Sequence, residues 1–107
     1  MKKHVHFQTD LYKLLQEVPV GFVTTYGDLA VALGDKNLAR AVGNALHKNS
    51  DPKGVPCYRV VNAKGRLSDA YAFGGLIAQK ARLEAEGIVI DEKIVDLSKY
   101  RFCFPKK

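Results

Sequence analysis

Two residues stand where a packing role alone would not need them: Cys57, in the stretch GVPCYRVVN, and Glu86, in LEAEG. The thiol follows Pro56, whose ring fixes φ just ahead of it. A cysteine so placed can be a packing residue, half of a disulfide, a metal ligand or a nucleophile. His4, His6, Cys57 and Cys103 lack the close paired spacing of a zinc site, so no metal is expected. A disulfide to Cys103 has no supporting signal, and Cys103, between Phe102 and Phe104, reads as a packing residue. Cys57 is left as buried filler or as a nucleophile. Glu86 falls in the last turn of a helical pattern, where the macrodipole disfavours an acid by about 0.3–1 kcal/mol. A positioned carboxylate near a positioned thiol would serve thiolate chemistry, since the thiol itself is a poor nucleophile.

The elements that must position these groups are mostly helical. Leu11, Leu14, Leu15 and Val18 recur at helical spacing, and Pro19 with Gly21 ends that helix. Thr25 followed by Asp28 is a capping-box-like opening to a short helix through Leu29 and Leu33, stopped by Gly34. Asn37 can cap a third helix, LARAVGNALHKN, whose buried stripe is Leu38, Val42, Ala45 and Leu46. A short helix, a tight glycine-containing turn and a second helix is the helix-turn-helix outline. The exposed side of the third helix carries Arg40, Asn44, His47 and Lys48 among the small residues Ala39, Ala41 and Gly43. Small residues let a helix approach another backbone closely, either in the protein core or on DNA. CYRVVN and the basic turn AKGR are expected to form a strand and a small hairpin or wing. Gly74–Gly75 precedes a last helix, LIAQKARLEAEG, capped by Gly87, and the tail is apolar enough to pack back on the body. The fold class is therefore mainly α with a small β wing, a winged-helix-like helix-turn-helix DNA-binding domain.

The chain has 107 residues, enough for one domain and one core. It is 47% hydrophobic, and none of its apolar runs approaches the roughly 20 residues of a membrane span. The first ten residues do not read as a signal peptide, and two distant cysteines suit a reducing compartment, so a cytoplasmic monomer is expected. Net charge is +6, the usual footprint of a nucleic-acid binder, although solubilising charge alone could give it.

These residues resemble the DNA-binding, active-site domain of the alkylguanine-DNA alkyltransferases. The likeness rests on VTTYGDLA, ARAVGNAL with Asn49 following, VPCYRVV, GGL and LEAEG, in order and spacing from Val20 to Gly87. The resemblance implies double-stranded DNA containing oxygen-6-alkylated guanine as partner, no cofactor, and repair proteins as possible further partners. It implies a single domain over 1–107 without the N-terminal domain of full-size members. It places Cys57 on the alkyl-accepting cysteine, Glu86 on the glutamate of its activating hydrogen-bond chain, and Asn49 on the hinge asparagine. Arg40 corresponds to the arginine that enters the base stack, and Tyr26 to the tyrosine that turns the nucleotide out at its phosphate. Ala39, Gly43, Asn44, Lys48 and Arg59 complete the expected DNA-facing set. Val60, Tyr71, Gly74 and Gly75 are expected around the alkylguanine pocket.

The signature departs from the family at one site, since Tyr58 replaces histidine in Pro56-Cys57-Tyr58-Arg59-Val60. Histidine titrates near 6.5 and tyrosine near 10, so a neutral phenol relays a hydrogen bond but accepts a proton poorly. Slow transfer is expected before none. The compact length and the tail VDLSKYRF look like the alkyltransferase-like proteins, which bind and flip alkylguanine without accepting the alkyl group, and which usually have tryptophan in place of the cysteine. Three readings follow: a slow alkyltransferase, a non-transferring lesion sensor, and a general winged-helix DNA-binding module.

Overall fold

The computed structural model describes residues 7–49, 51, 54–68 and 74–104. Helix α1 runs over Phe7–Gln16 and buries Leu11 and Leu15. Strand β1, Thr24–Thr25, leads directly into α2, Tyr26–Ala32. Thr25 is the N-cap, as its position before Asp28 suggests: its hydroxyl accepts from the Asp28 amide at 3.0 Å. The turn after α2 contains a 3₁₀ segment, Lys36–Leu38, capped by Asp35. Helix α3, Ala39–His47, follows with Val42, Ala45 and Leu46 buried. The cap expected at Asn37 does not form: Leu38 precedes α3 without a side-chain cap, and the cap lies on the 3₁₀ segment instead. Asp35 accepts from the Asn37 amide at 2.9 Å, and Asn37 lies inside the 3₁₀ turn. Helices α2 and α3 pack on each other as the two limbs of the helix-turn-helix.

Two small sheets complete the fold. Strand β2, Val60–Val61, pairs in parallel with β1, Thr24 opposite Val60 and Thr25 opposite Val61. Strands β3, Ile90–Asp91, and β4, Ile94–Val95, form an antiparallel hairpin. Glu92 and Lys93 both adopt positive φ at its tip, the geometry of the tight primed turn that matches strand twist. The wing therefore does not lie where the sequence suggested. Val60 and Val61 are both buried and pair with β1, while the AKGR turn carries the chain across to β4. There Arg66 bridges Ile94, and the Val95 amide donates to the Gly65 carbonyl at 2.8 Å.

Helix α4, Gly75–Ala85, and α5, Leu97–Tyr100, close the body. The tail packs back as expected: the Val23 amide donates to the Tyr100 carbonyl, and the Phe102 amide to the Val23 carbonyl, each at 2.8 Å. Arg101 fixes it further through a bidentate pair with Asp28. One core joins Leu11, Leu15, Leu29, Val42, Val61, Leu83, Ile88 and Val95. Cys103 is exposed and both cysteines are free, so Cys103 is not the packing residue expected from its neighbours. Phe102 contacts Phe22 and Phe104 edge-on and leaves the intervening thiol in solvent. Among the described residues no helix is long and apolar enough to cross a membrane.

Candidate active site

The parallel β1–β2 pair brings the Cys57 segment to the helix-turn-helix. Cys57–Arg59 is a single 3₁₀ turn that feeds β2, and β1 ends at the first residue of α2. Cys57 is 8% exposed. The loop before it is pinned by Asn49, whose Nδ2 donates to the Val55 carbonyl at 2.8 Å and whose Oδ1 accepts from the Asp51 amide at 3.0 Å. Burial pushes the Cys57 thiol above its ordinary pKa. A hydrogen bond from the Asn49 side chain and the charge of Arg82 act against that shift without cancelling it. Tyr12 of α1 and Tyr26 of α2 are both within electrostatic reach of the sulfur. The site therefore favours the thiol over the thiolate more than water does.

Glu86 owes its position to the end of α4. Gly87, at φ +90°, lets the chain reverse; the Gly87 amide donates to the Glu84 carbonyl and the Ile88 amide to the Leu83 carbonyl. That closure leaves Glu86 as the C-cap just past the last helical residue, facing Tyr58 and Arg59. Its Oε2 accepts from the Tyr58 hydroxyl at 2.6 Å and from Arg59 Nη2 at 2.7 Å. Its Oε1 accepts from Arg59 Nε at 3.0 Å and from the Gly21 amide at 3.4 Å. Arg59 Nη1 donates to the Val18 carbonyl at 2.8 Å. The guanidinium thus offsets the helix-end penalty of the acid.

This network corrects one expectation. Arg59 is 9% exposed and its donors are turned inward, so it belongs to the interior scaffold and not to the DNA-facing set. An arginine in a short basic stretch reads as surface charge unless its buried carboxylate partner, 27 residues on, is known. The network also defines what Tyr58 can do. Its phenol donates to Glu86, and its pKa is raised by burial first and by that carboxylate second. Among the described residues no hydrogen bond joins the Cys57 sulfur to the Tyr58–Glu86 pair.

The α3 surface matches its sequence pattern in part. Arg40, Asn44, His47 and Lys48 are exposed, whereas Ala39 and Gly43 are half-buried. A Cβ added at Gly43 would meet the Tyr26 ring at 4.0 Å, so this glycine lies under Tyr26. On the pocket side, Val60 is buried in β2, and Gly74 caps the N-terminus of α4, which Gly75 begins. Tyr71 lies outside the described residues.

Three side chains escaped the sequence reading. Gln79, 1% exposed on α4, donates to the carbonyls of Tyr58 and Val60 and accepts from the Ser68 amide. It ties the Cys57–Arg59 turn and β2 to Ser68. Tyr12 donates to the Ala45 carbonyl at 2.9 Å and joins α1 to α3. Arg82 lies over the Tyr58 ring at 5.3 Å from its centroid. Only the 3.6-residue spacing of Gln79 and Leu83 hinted at an inward face, and a glutamine gives no hydrophobic signal.

The family model for the DNA-binding domain of 6-O-methylguanine DNA methyltransferase matches residues 6–88. A bifunctional methyltransferase/endonuclease of Picrophilus torridus is 50% identical over 93 residues. The aligned part is 86% of this chain and 30% of that protein, so the chain spans about a third of that relative's length. Alkyltransferase-like protein 1 of Schizosaccharomyces pombe is 36% identical over 100 residues, 94% of this chain and 91% of that one. The crystal structure of the Schizosaccharomyces pombe protein with damaged DNA containing O6-carboxymethylguanine superposes with a TM-score of 0.82 at 34% identity, covering 91% of this chain and 94% of that chain.

Proposed function

Because the chain belongs to the alkylguanine-DNA alkyltransferase family, we propose that it binds duplex DNA, extrudes an oxygen-6-alkylated guanine and accepts the alkyl group slowly on Cys57. The observation that carries this reading is the buried thiol itself, in the single turn between the Asn49-pinned loop and β2. A base inside a duplex cannot reach such a thiol, so the nucleotide must leave the stack at a cost of a few kcal/mol. Arg40, exposed on α3, fills the gap, and the neighbouring basic residues meet phosphates. The Cys57 thiolate then attacks the alkyl carbon. The carbon–O6 bond breaks with its electron pair left on guanine, and a thioether forms. One molecule acts once, and no cofactor takes part.

A second reading has its own support. The Tyr58 hydroxyl is committed to Glu86, and burial favours the thiol over the thiolate. A site so arranged suits a protein that holds the flipped base without reacting, as a lesion sensor.

Intact mass after incubation with duplex containing oxygen-6-methylguanine, with Cys57→Ser alongside, separates the two. The expected result is a gain of one methyl in place of hydrogen, absent from the mutant. Because the thiol is raised, the gain accumulates faster as pH rises from 7 toward 9. Lesion-selective binding with an unchanged mass across that range would leave the sensor.

Arg40→Ala is expected to weaken binding to the lesion duplex tenfold or more, about 1.4 kcal/mol, with a smaller loss on undamaged DNA. Fluorescence anisotropy on the two duplexes measures this. Equal losses would reduce Arg40 to a phosphate contact.

A further inference from the structure

Gln79 is a buried polar side chain that the transfer chemistry does not use. It lies on α4, one turn past Gly75, and is 1% exposed. A glutamine offers two N–H donors and one carbonyl oxygen. Here Nε2 donates to the Tyr58 carbonyl at 3.1 Å and to the Val60 carbonyl at 3.0 Å, while Oε1 accepts from the Ser68 amide at 2.8 Å. Both amide hydrogens and the oxygen are therefore committed to main chain. An amide buried without such partners would cost free energy, and a leucine of similar size would not. The choice of glutamine thus serves the three backbone groups it grips.

Those groups come from three segments around the thiol. Tyr58 lies in the single turn that begins at Cys57, and Val60 opens β2. Ser68 follows the turn that crosses to the hairpin, and its side chain is hydrogen-bonded to Tyr26 of α2. Tyr58 is moreover held from both ends by α4 and its C-cap. Its hydroxyl donates to Glu86 at 2.6 Å, and its carbonyl accepts from Gln79. The side chain of Gln79 is the spacer that refers the Cys57 turn, β2 and Ser68 to one helix.

We infer that Gln79 is a positioning residue for the extruded base: by fixing the Cys57 turn, β2 and Ser68 against α4, it sets the pocket in which the alkylated guanine meets Cys57. It acts through those backbone groups and takes no part in the bond-making step. This inference rests on the base-flipping reading above. A base that stays stacked in undamaged duplex does not enter the pocket, so Gln79 has no part in that binding.

Gln79→Leu keeps the volume and removes all three hydrogen bonds. By fluorescence anisotropy, affinity for duplex with oxygen-6-methylguanine should fall about five- to tenfold, with affinity for undamaged duplex unchanged. Gln79→Glu keeps the acceptor for Ser68 but, as a carboxylate, has no donor for the two carbonyls, so the same loss is expected. The rate of methyl gain at saturating lesion duplex, read by intact mass, should fall about 10²-fold, since a displacement of about 1 Å can cost that much. A glutamine with a structural role alone would lower Tm and leave the affinity ratio and the saturating rate at wild-type values well below Tm; that result overturns the inference, as do equal losses on both duplexes. If neither variant folds, hydrogen exchange of the wild-type lesion complex decides. The Gln79 side-chain amide should exchange far more slowly than that of exposed Gln8, and exchange as fast as Gln8 overturns the inference. Selective binding with no methyl gain removes only the transfer, and the affinity ratio still decides Gln79. A wild type that does not distinguish the duplexes overturns the base-flipping reading and this inference with it.

Discussion

Tyr58→His is expected to speed methyl transfer to Cys57 by about 10²–10⁴-fold at neutral pH, the usual contribution of a positioned general base. The phenol of Tyr58 donates to Glu86 and has a raised pKa, so it cannot accept the thiol proton near pH 7. An imidazole titrates near 6.5 and has two nitrogens. One can donate to Glu86 as the phenol does, leaving the other able to take the sulfur's proton directly or through one water. Single-turnover transfer from an oxygen-6-methylguanine duplex, followed by intact mass across pH, measures the gain. The pH profile should change as well as the rate. Wild type should keep accelerating as the raised thiol ionises, whereas the histidine variant should level off once its imidazole is neutral. An unchanged rate and profile would mean that some step other than thiol ionisation, such as extrusion of the nucleotide, limits the reaction.

What the sequence revealed and what it hid divide along one physical line. Elements set by local chemistry were legible: Thr25 as N-cap, Gly87 as helix terminator, and the buried stripe of α3 all depend on residues within a turn of each other. Features set by distant pairings were not. Strands β1 and β2 are two residues each and give no periodicity, yet their parallel register joins the segment after Cys57 to the strand that leads into α2. The hairpin forms at Glu92–Lys93, two residues with no glycine signal, in place of the expected position at AKGR. Arg59 looked like surface charge because its partner is remote in sequence, and Cys103 looked buried because its phenylalanine neighbours pack on each other. Which residues to weigh at the candidate site was legible only through the family resemblance. Its wiring was not, since the same Cys57, Tyr58 and Glu86 could have formed a relay to the sulfur.

That wiring makes the Arg59–Glu86 pair the point of greatest sensitivity in the fold. Both side chains are largely buried, at 10% and 12% exposure. Glu86→Ala leaves a buried guanidinium without its counter-ion, and strips the Tyr58 hydroxyl of its acceptor. Breaking one side of such a pair costs about 3–5 kcal/mol. In a domain of this size that corresponds to a fall in Tm on the order of 15 °C or more. The double variant Arg59→Met with Glu86→Leu removes both charges and refills the space, so it should be less destabilised than Glu86→Ala. Glu86→Leu alone, which refills the space but leaves Arg59 unpaired, isolates the unpaired charge from the lost packing, since Tyr58 loses its acceptor in all three. The pH dependence carries a sign of its own. Burial pushes the Glu86 carboxyl up, but hydrogen bonds from Arg59 and Tyr58 and the Arg59 charge together hold it below its usual value. A carboxyl depressed on folding contributes stability that is complete above its unfolded pKa, near 4.3, and is lost as pH falls through the folded value. Thermal unfolding of wild type and Glu86→Gln should therefore differ most above that point and draw together in acid. A gap that stays constant into strong acid would mean that the ion pair contributes shape and not charge.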